Sequence, residues 1–281
     1  MRTTLLLLLM AMIAFSLFGL LEDAMLYHPP ADLHTNPEGL GMPSEELHLP
    51  TTDGETIFAW FMPAEQAKAT VLMAHGNAEN VSDTLPAAWW FWRHGYSVLT
   101  FDFRGYGKST GKPSEQGLYR DIEACWRHLV VERGLDPASI VLFGFSLGSG
   151  PVVELAAREK PGLVVLQAAF LSTREVGRDF FGWFAVYRLV GNKYDNASKV
   201  SSIQAPVIVA HGICDGVVES RHGLELFRLV RSPKHLLLHK KADHGTIFDL
   251  EREVYIELFE AWLAGTFPDS SSEAIQPGGR Q

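Results

Sequence analysis

Short aliphatic runs alternate with stretches of helical spacing along most of this chain, and that alternation constrains the fold more than any other feature. Thr70–Ala74 reads TVLMA, Ser97–Phe101 SVLTF, Ile140–Phe143 IVLF, Leu163–Leu166 LVVL, Val207–Ala210 VIVA and His235–Leu238 HLLL. Runs that are β-branched or aliphatic throughout suit strands buried on both faces, as in parallel sheets. Glu45–Leu49 and Thr56–Met62 add an opening pair of strands. Between the runs, 116–132 places Leu118, Ile122, Cys125, Leu129 and Val130 on one helical face, and 151–160, 221–230 and 250–264 have similar spacing. Parallel strands need crossovers, so the expected architecture is α/β: a mostly parallel central sheet with helices on both faces. Sites in such sheets form at the carboxyl ends of the strands.

One strand end carries a motif. Gly144-Phe145-Ser146-Leu147-Gly148 follows the run 140–143 directly and precedes the helical stretch. A strand-to-helix turn that sharp brings backbone segments together, hence glycine on both sides of the serine, and it lifts the Ser146 hydroxyl above the sheet. The alternative reading is a glycine-rich turn without chemistry. A serine hydroxyl needs a base. Of 11 histidines, only His244 lies in a loop after the last strand, behind both Ser146 and an acid; His75 and His211 end earlier strands. Asp215 follows the run 207–210 and fits the acid that orients an imidazole, whereas Asp102, Asp195 and Asp243 are placed less well. The tetrahedral oxyanion needs two converging N–H donors, expected from Leu147 and from Asn77 in the His75-Gly76-Asn77 loop. Helix capping by Asn77 or Asn80 is the competing role for that loop.

The ends of the chain differ from its middle. Leu5–Leu21 is an uninterrupted apolar run of 17 residues, preceded by Arg2 and followed by Glu22 and Asp23. It sits at the lower limit of a membrane-spanning segment and above the usual length of a signal-peptide core. The expectation is an uncleaved transmembrane signal anchor at 1–21, with a cleaved signal peptide and a buried helix as alternatives. Arg2 on the inside would put the remainder on the non-cytoplasmic side; after cleavage the protein would be secreted or periplasmic. Residues 22–44, dense in proline, read as an extended tether; 45–267 as the catalytic domain; 268–281, rich in Ser, Gly and Pro, as a disordered tail. A formal net charge of -9 without any basic stretch argues against nucleic acid as a partner. Cys125 and Cys214 have no metal-ligand spacing and read as two isolated core thiols, with a single disulfide as the alternative.

The set HGN (75–77), DFRGYGKS (102–109), GFSLGS (144–149), HGICDGVV (211–218) and DHG (243–245) resembles the serine α/β-hydrolases. It is most similar to the membrane-tethered Bem46-like and ABHD13/ABHD17-like hydrolases with a serine aminopeptidase S33-type domain. The resemblance spans about 45–267. It implies Ser146, Asp215 and His244 as catalytic triad, Asn77 and Leu147 as oxyanion donors, and a chiefly structural role for Arg104, Gly105 and Gly107. The stretch 170–202 occupies the place of a lid and is short, so the lid is expected to be minimal. Its aromatic residues, Phe180, Phe181, Trp183, Phe184 and Tyr187, suit core packing as well as an acyl pocket or membrane patch. The expected activity is hydrolysis of a small-molecule carboxylic ester or thioester, with no cofactor and no metal. The alternatives are an aminopeptidase or amidase, for which Glu79 would be the amine-binding carboxylate, and a non-catalytic binding protein of the same fold. The sequence does not address the oligomeric state.

Overall fold

The computed structural model of the chain describes residues 23, 26–182 and 191–270. The run 5–21 read as a membrane anchor, most of the tail, and Trp183, Phe184 and Tyr187 of the lid stretch lie outside the described residues. Among the described residues, no helix is long and apolar enough to cross a membrane.

Eight strands form one sheet: β1 (Glu45–Pro50), β2 (Thr56–Met62), β3 (Thr70–Ala74), β4 (Ser97–Phe101), β5 (Ile140–Phe145), β6 (Leu163–Gln167), β7 (Val207–Gly212) and β8 (Lys234–His239). Their order is β1-β2-β4-β3-β5-β6-β7-β8. The β1–β2 and β2–β4 pairs are antiparallel and all others parallel. The helices are α1 (Leu85–Arg93), α2 (Glu115–Arg127), α3 (Ser149–Arg158), α4 (Thr173–Phe181), α5 (Ser220–Leu229) and α6 (Ile247–Leu263), with a single turn at Asn196–Lys199. This is the α/β-hydrolase architecture that the motifs implied.

Period-two alternation distributes each strand between two cores. Leu72, Leu99, Leu142, Val164 and Val209 face one side, where α2 and α3 cover them with Leu118, Ile122, Val152 and Leu155. Val71, Val98, Val141, Val165 and Ile208 face the other, under Phe91 of α1 and Tyr255 and Phe259 of α6. Each fully buried side chain of this size contributes about 1.5–3 kcal/mol, and a one-residue slip would turn an entire strand over. Pairing in register is therefore the cooperative product of both cores. The Trp89–Trp92 stretch packs α1 on the sheet, with Phe91 stacked on Phe259 at 5.1 Å.

Two stretches depart from the sequence expectation. The helix expected over 116–132 is α-helical only through Arg127 and continues as a π-turn at His128–Glu132, where Glu132 accepts from the His128 ring at 2.7 Å. The segment expected as a tether is bound to the domain over its described part. The Gly107 N–H donates to the Pro30 carbonyl at 2.9 Å, Asn80 Nδ2 donates to the Asp32 carbonyl at 2.9 Å, and Met42 is buried. Apart from a 3-10 turn at Glu38–Leu40, its proline-rich stretch forms neither helix nor ladder and leaves carbonyl groups that loops of the domain can satisfy.

Candidate active site

The loops after β3, β5, β7 and β8 meet above the carboxyl edge of the sheet. Ser146 follows β5 at φ 49°, a left-handed conformation rare for a residue with a side chain and costing about 1–3 kcal/mol. Packing holds it there. A Cβ on Gly148 would stand 2.2 Å from the Ala74 carbonyl oxygen, so only glycine lets the turn close against β3. The Ser149 hydroxyl donates to the Ser146 carbonyl at 2.7 Å and ties the turn to the start of α3.

The structure brings Ser146, His244 and Asp215 together. His244 Nε2 lies 3.0 Å from Ser146 Oγ, and His244 Nδ1 lies 2.8 Å from Asp215 Oδ2. With Nδ1–H donating to the carboxylate, Nε2 is left as the acceptor for the serine proton. The Phe145 ring stands against the imidazole at 5.1 Å. Asp215 is buried, and burial alone would raise its pKa. Donors from the His211 and His244 rings and the Val218 N–H outweigh burial and hold the carboxyl well below the usual carboxylate range. Oδ1 accepts from the Val217 and Val218 N–H groups, both at 2.8 Å. Oδ2 faces His244 and, at 3.2 Å, Nε2 of His211. The His211 contact was not read from the sequence; its only signal there is the four-residue spacing in His211-Gly212-Ile213-Cys214-Asp215.

Asn77 and Leu147 lie in loops that leave adjacent strands, since Ala74 pairs with Gly144 in the β3–β5 ladder. Leu147 follows Ser146 at the start of the helical turn. The Asn77 side chain does not cap a helix. Its Oδ1 accepts from the Tyr106 hydroxyl at 2.8 Å and the His28 N–H at 3.0 Å, and its Nδ2 donates to the Leu26 carbonyl at 2.6 Å. Next to Leu26, the Tyr27 hydroxyl meets that of Tyr194 at 2.7 Å, buried. A strap from the chain's beginning thus grips the loop of a candidate oxyanion donor, a feature no motif announced. Asn80 accepts from the Ser82 N–H at 3.0 Å and organises the turn ahead of α1.

The competing carboxylates have other partners. Asp102 is buried and accepts from the Val81 and Lys108 N–H groups. Arg104 bridges Asp121 and Asp53, which fits the structural role implied for its loop. Asp243 accepts from the Gly245 and Thr246 N–H groups, and Asp195 accepts from the Ser198 N–H. Glu79 accepts from the Gly76 N–H at 2.8 Å, and burial raises its pKa. It lines a cavity of about 170 Å³ beside the triad, with Phe143, Phe145, Gln167, Gly245 and Phe248. Cys125 is buried, but Cys214 is exposed on the Asp215 loop; both are free thiols, so Cys214 is not the core residue expected. Among the described residues, no three His, Cys, Asp or Glu side chains are grouped to hold a metal.

The family model described as "Serine aminopeptidase, S33" matches residues 65–196. An uncharacterised protein of Mycobacterium tuberculosis is 30% identical over 247 residues, covering 87% of this chain and 88% of its own. Human alpha/beta hydrolase domain-containing protein 17B is 33% identical over 201 residues, 70% of this chain and 68% of its own. Among solved structures, the esterase Pf2001 of Pyrococcus furiosus superposes with a TM-score of 0.71 at 21% identity, covering 86% of this chain and 100% of its own. An acetyl xylan esterase from Paenibacillus sp. R4 reaches 0.66 at 17% identity, covering 89% and 93%.

Proposed function

This chain belongs to the serine α/β-hydrolase superfamily, and from that membership we propose that it cleaves a carboxylic ester or thioester through Ser146, by way of an acyl-enzyme. The observation that carries the reading is the unbroken hydrogen-bond chain Asp215–His244–Ser146, with contacts of 2.8 and 3.0 Å. In the first half-reaction His244 Nε2 takes the Ser146 proton as Oγ bonds to the carbonyl carbon. The resulting oxyanion accepts from the Leu147 and Asn77 N–H groups. Collapse breaks the bond to the leaving group, which leaves with the proton from His244. Water then loses its proton to His244, attacks the acyl carbon and releases the acid, restoring the Ser146 hydroxyl. Asp215 stays ionised throughout and balances the imidazolium. The neighbouring esterase folds favour an oxygen ester over an amide.

A second reading, an aminopeptidase or amidase, draws on Glu79 in the cavity beside His244 and on the description of the matching family. Profiling on p-nitrophenyl esters, acyl thioesters and aminoacyl amides separates the two. Ester or thioester turnover that vanishes in Ser146→Ala, together with its fluorophosphonate labelling, is the expected result. Turnover of amides with a free amine, and of no ester, selects the second reading. Absence of turnover and of labelling in the wild type selects the binding protein. With the activity we propose a location, membrane-anchored through 5–21 with the domain on the non-cytoplasmic side, which rests on the apolar run and Arg2 alone.

A further inference from the structure

We propose that His211 is a positioning residue of the catalytic couple: its Nε2–H, shared between the Val218 carbonyl and Asp215 Oδ2, fixes the carboxylate that holds His244. The proposal rests on the triad reading and extends it, because no step of that mechanism uses His211.

His211 is the penultimate residue of β7, opposite Leu238 of β8, and is fully buried. Its Nε2 lies 2.9 Å from the Val218 carbonyl oxygen and 3.2 Å from Asp215 Oδ2. Both neighbours can only accept at these distances, so Nε2 must carry a hydrogen. The other nitrogen settles the charge. Nδ1 is buried and has no hydrogen-bond partner among the described residues. It faces Gly223 of α5, where a Cβ would stand 2.5 Å away. A proton on Nδ1 would be a buried N–H without an acceptor, at about 1–3 kcal/mol, and more for the cation it would create. The ring is therefore neutral, with its one hydrogen on Nε2.

A neutral donor is what this position can use. A charged imidazolium beside Asp215 would take up the negative charge that stabilises protonated His244. A neutral N–H directs Oδ2 and draws on that charge far less than a cation would. Two backbone N–H groups hold Oδ1, His211 holds one side of Oδ2, and the remaining direction of Oδ2 is the one His244 occupies. The other ionisable groups facing this couple are Glu79 of the β3 loop, Asp243 of the β8 loop, and His222 of α5. His222 accepts from the Leu171 N–H at its Nδ1 and donates from Nε2 to Asp179 of α4, so it too is neutral.

The test compares His211→Phe, which keeps a ring without a donor, with His211→Gln, which can still donate. The readout is the rate of fluorophosphonate labelling of Ser146 from pH 5 to 9, which needs no known substrate. The Phe variant is expected to label roughly 10- to 100-fold more slowly, the scale of a small misplacement of catalytic groups. Its acid limb is expected to move to higher pH, because Asp215 with one donor fewer holds the His244 proton more tightly. The Gln variant should return the limb toward the wild-type position. A folded Phe variant with an unmoved limb, or Phe and Gln variants equally impaired, overturns the role. Should the Phe variant not fold, the wild-type enzyme decides. Imidazole ¹⁵N spectra must show His211 as the Nε2–H tautomer; an Nδ1–H ring overturns the proposal. Loss of labelling in Ser146→Ala beside an unchanged His211→Phe profile leaves the triad standing and rejects only His211. Labelling that persists in Ser146→Ala rejects the triad itself.

Discussion

Asp215 and Asp243 stand in the two loops that approach His244, and their hydrogen bonds predict opposite behaviour on conversion to asparagine. Asp243 uses Oδ1 for the Gly245 and Thr246 N–H groups, and an asparagine supplies that oxygen equally well. Asp215 uses both oxygens. Its Oδ1 is committed to two backbone N–H groups, so in Asp215→Asn the amide NH₂ falls at the Oδ2 position. There it meets His244 Nδ1 and forces that nitrogen to accept, which moves the ring hydrogen to Nε2 and removes the base. Asp215→Asn is expected to lower kcat by roughly 10⁴-fold and Asp243→Asn by no more than a few-fold, read by steady-state kinetics. Loss of turnover in Asp243→Asn alone would contradict the assignment. His75 gives a residue-scale prediction about stability. Its Nε2 accepts from the Phe103 N–H at 3.2 Å and its Nδ1 donates to the Gly76 carbonyl at 2.7 Å, so the ring is neutral. Burial lowers its pKa from 6.5 to about 4. The unfolded chain then binds the proton more readily, so this contribution is complete above pH 6.5 and is lost as the pH falls toward 4. At about 1.4 kcal/mol per unit, the loss is up to about 3 kcal/mol. In urea unfolding, the gap between wild type and His75→Gln should narrow as the pH falls from 7 to 4; a constant gap refutes it.

At the scale of elements, strands were the most legible part of the sequence, because an aliphatic run buried on both faces leaves an unmistakable pattern. Each of the eight runs contains or lies within an observed strand. The ends were less legible: β5 continues through Gly144 and Phe145, and β7 through His211 and Gly212. Glycine and histidine have weak strand preference, and ladder partners from β6 and β8 decide their conformation. The same limit hid His211, whose partner becomes visible only when the β7 loop folds back on its own strand. That Ser146, Asp215 and His244 would lie together was legible because a serine, an acid and a histidine after β5, β7 and β8 leave a chain-order signature. The strap was not, because prolines say what a segment cannot form and not which surface will satisfy it. The strap's grip on Asn77 also relocates the useful start of a truncated chain. A cut at Tyr27 removes the Leu26 carbonyl that Asn77 Nδ2 holds and the Asp23 carboxylate paired with Lys193. Chains starting at residue 23 and at residue 29 can be compared by kcat and KM on the same substrate. The shorter one is expected to lose roughly 10-fold or more in kcat with KM little changed, as the loop of the candidate oxyanion donor Asn77 is released. Equal kcat would show that the loop keeps its place without the strap.

For the whole molecule, the strap sets how far the reacting centre can stand from whatever holds the chain's beginning. From Leu21, the end of the apolar run, to Leu26 is five residues, and fully extended chain reaches at most about 3.6 Å per residue. Leu26, which the Asn77 side chain holds, is therefore within about 18 Å of the end of that run, whatever the path between them. As a helix the 17 apolar residues would measure about 26 Å at 1.5 Å per residue, close to a hydrocarbon core of about 30 Å. The small mismatch is within what local thinning or flanking residues accommodate. An anchored domain would then keep its active-site edge near the lipid headgroups, and an ester embedded in the bilayer would need to rise only a short way to reach Ser146. The expected outcome is that the full chain stays in the membrane fraction through high salt and carbonate, while the chain starting at residue 23 is recovered in the supernatant and turns over dispersed ester. On membrane-embedded ester the full chain should be faster than the truncated one, and on a short-chain soluble ester the two should be equal. Recovery of the native protein in soluble form without its first twenty-odd residues would identify the run as a cleaved signal. Equal rates on embedded ester would separate the run from substrate access altogether.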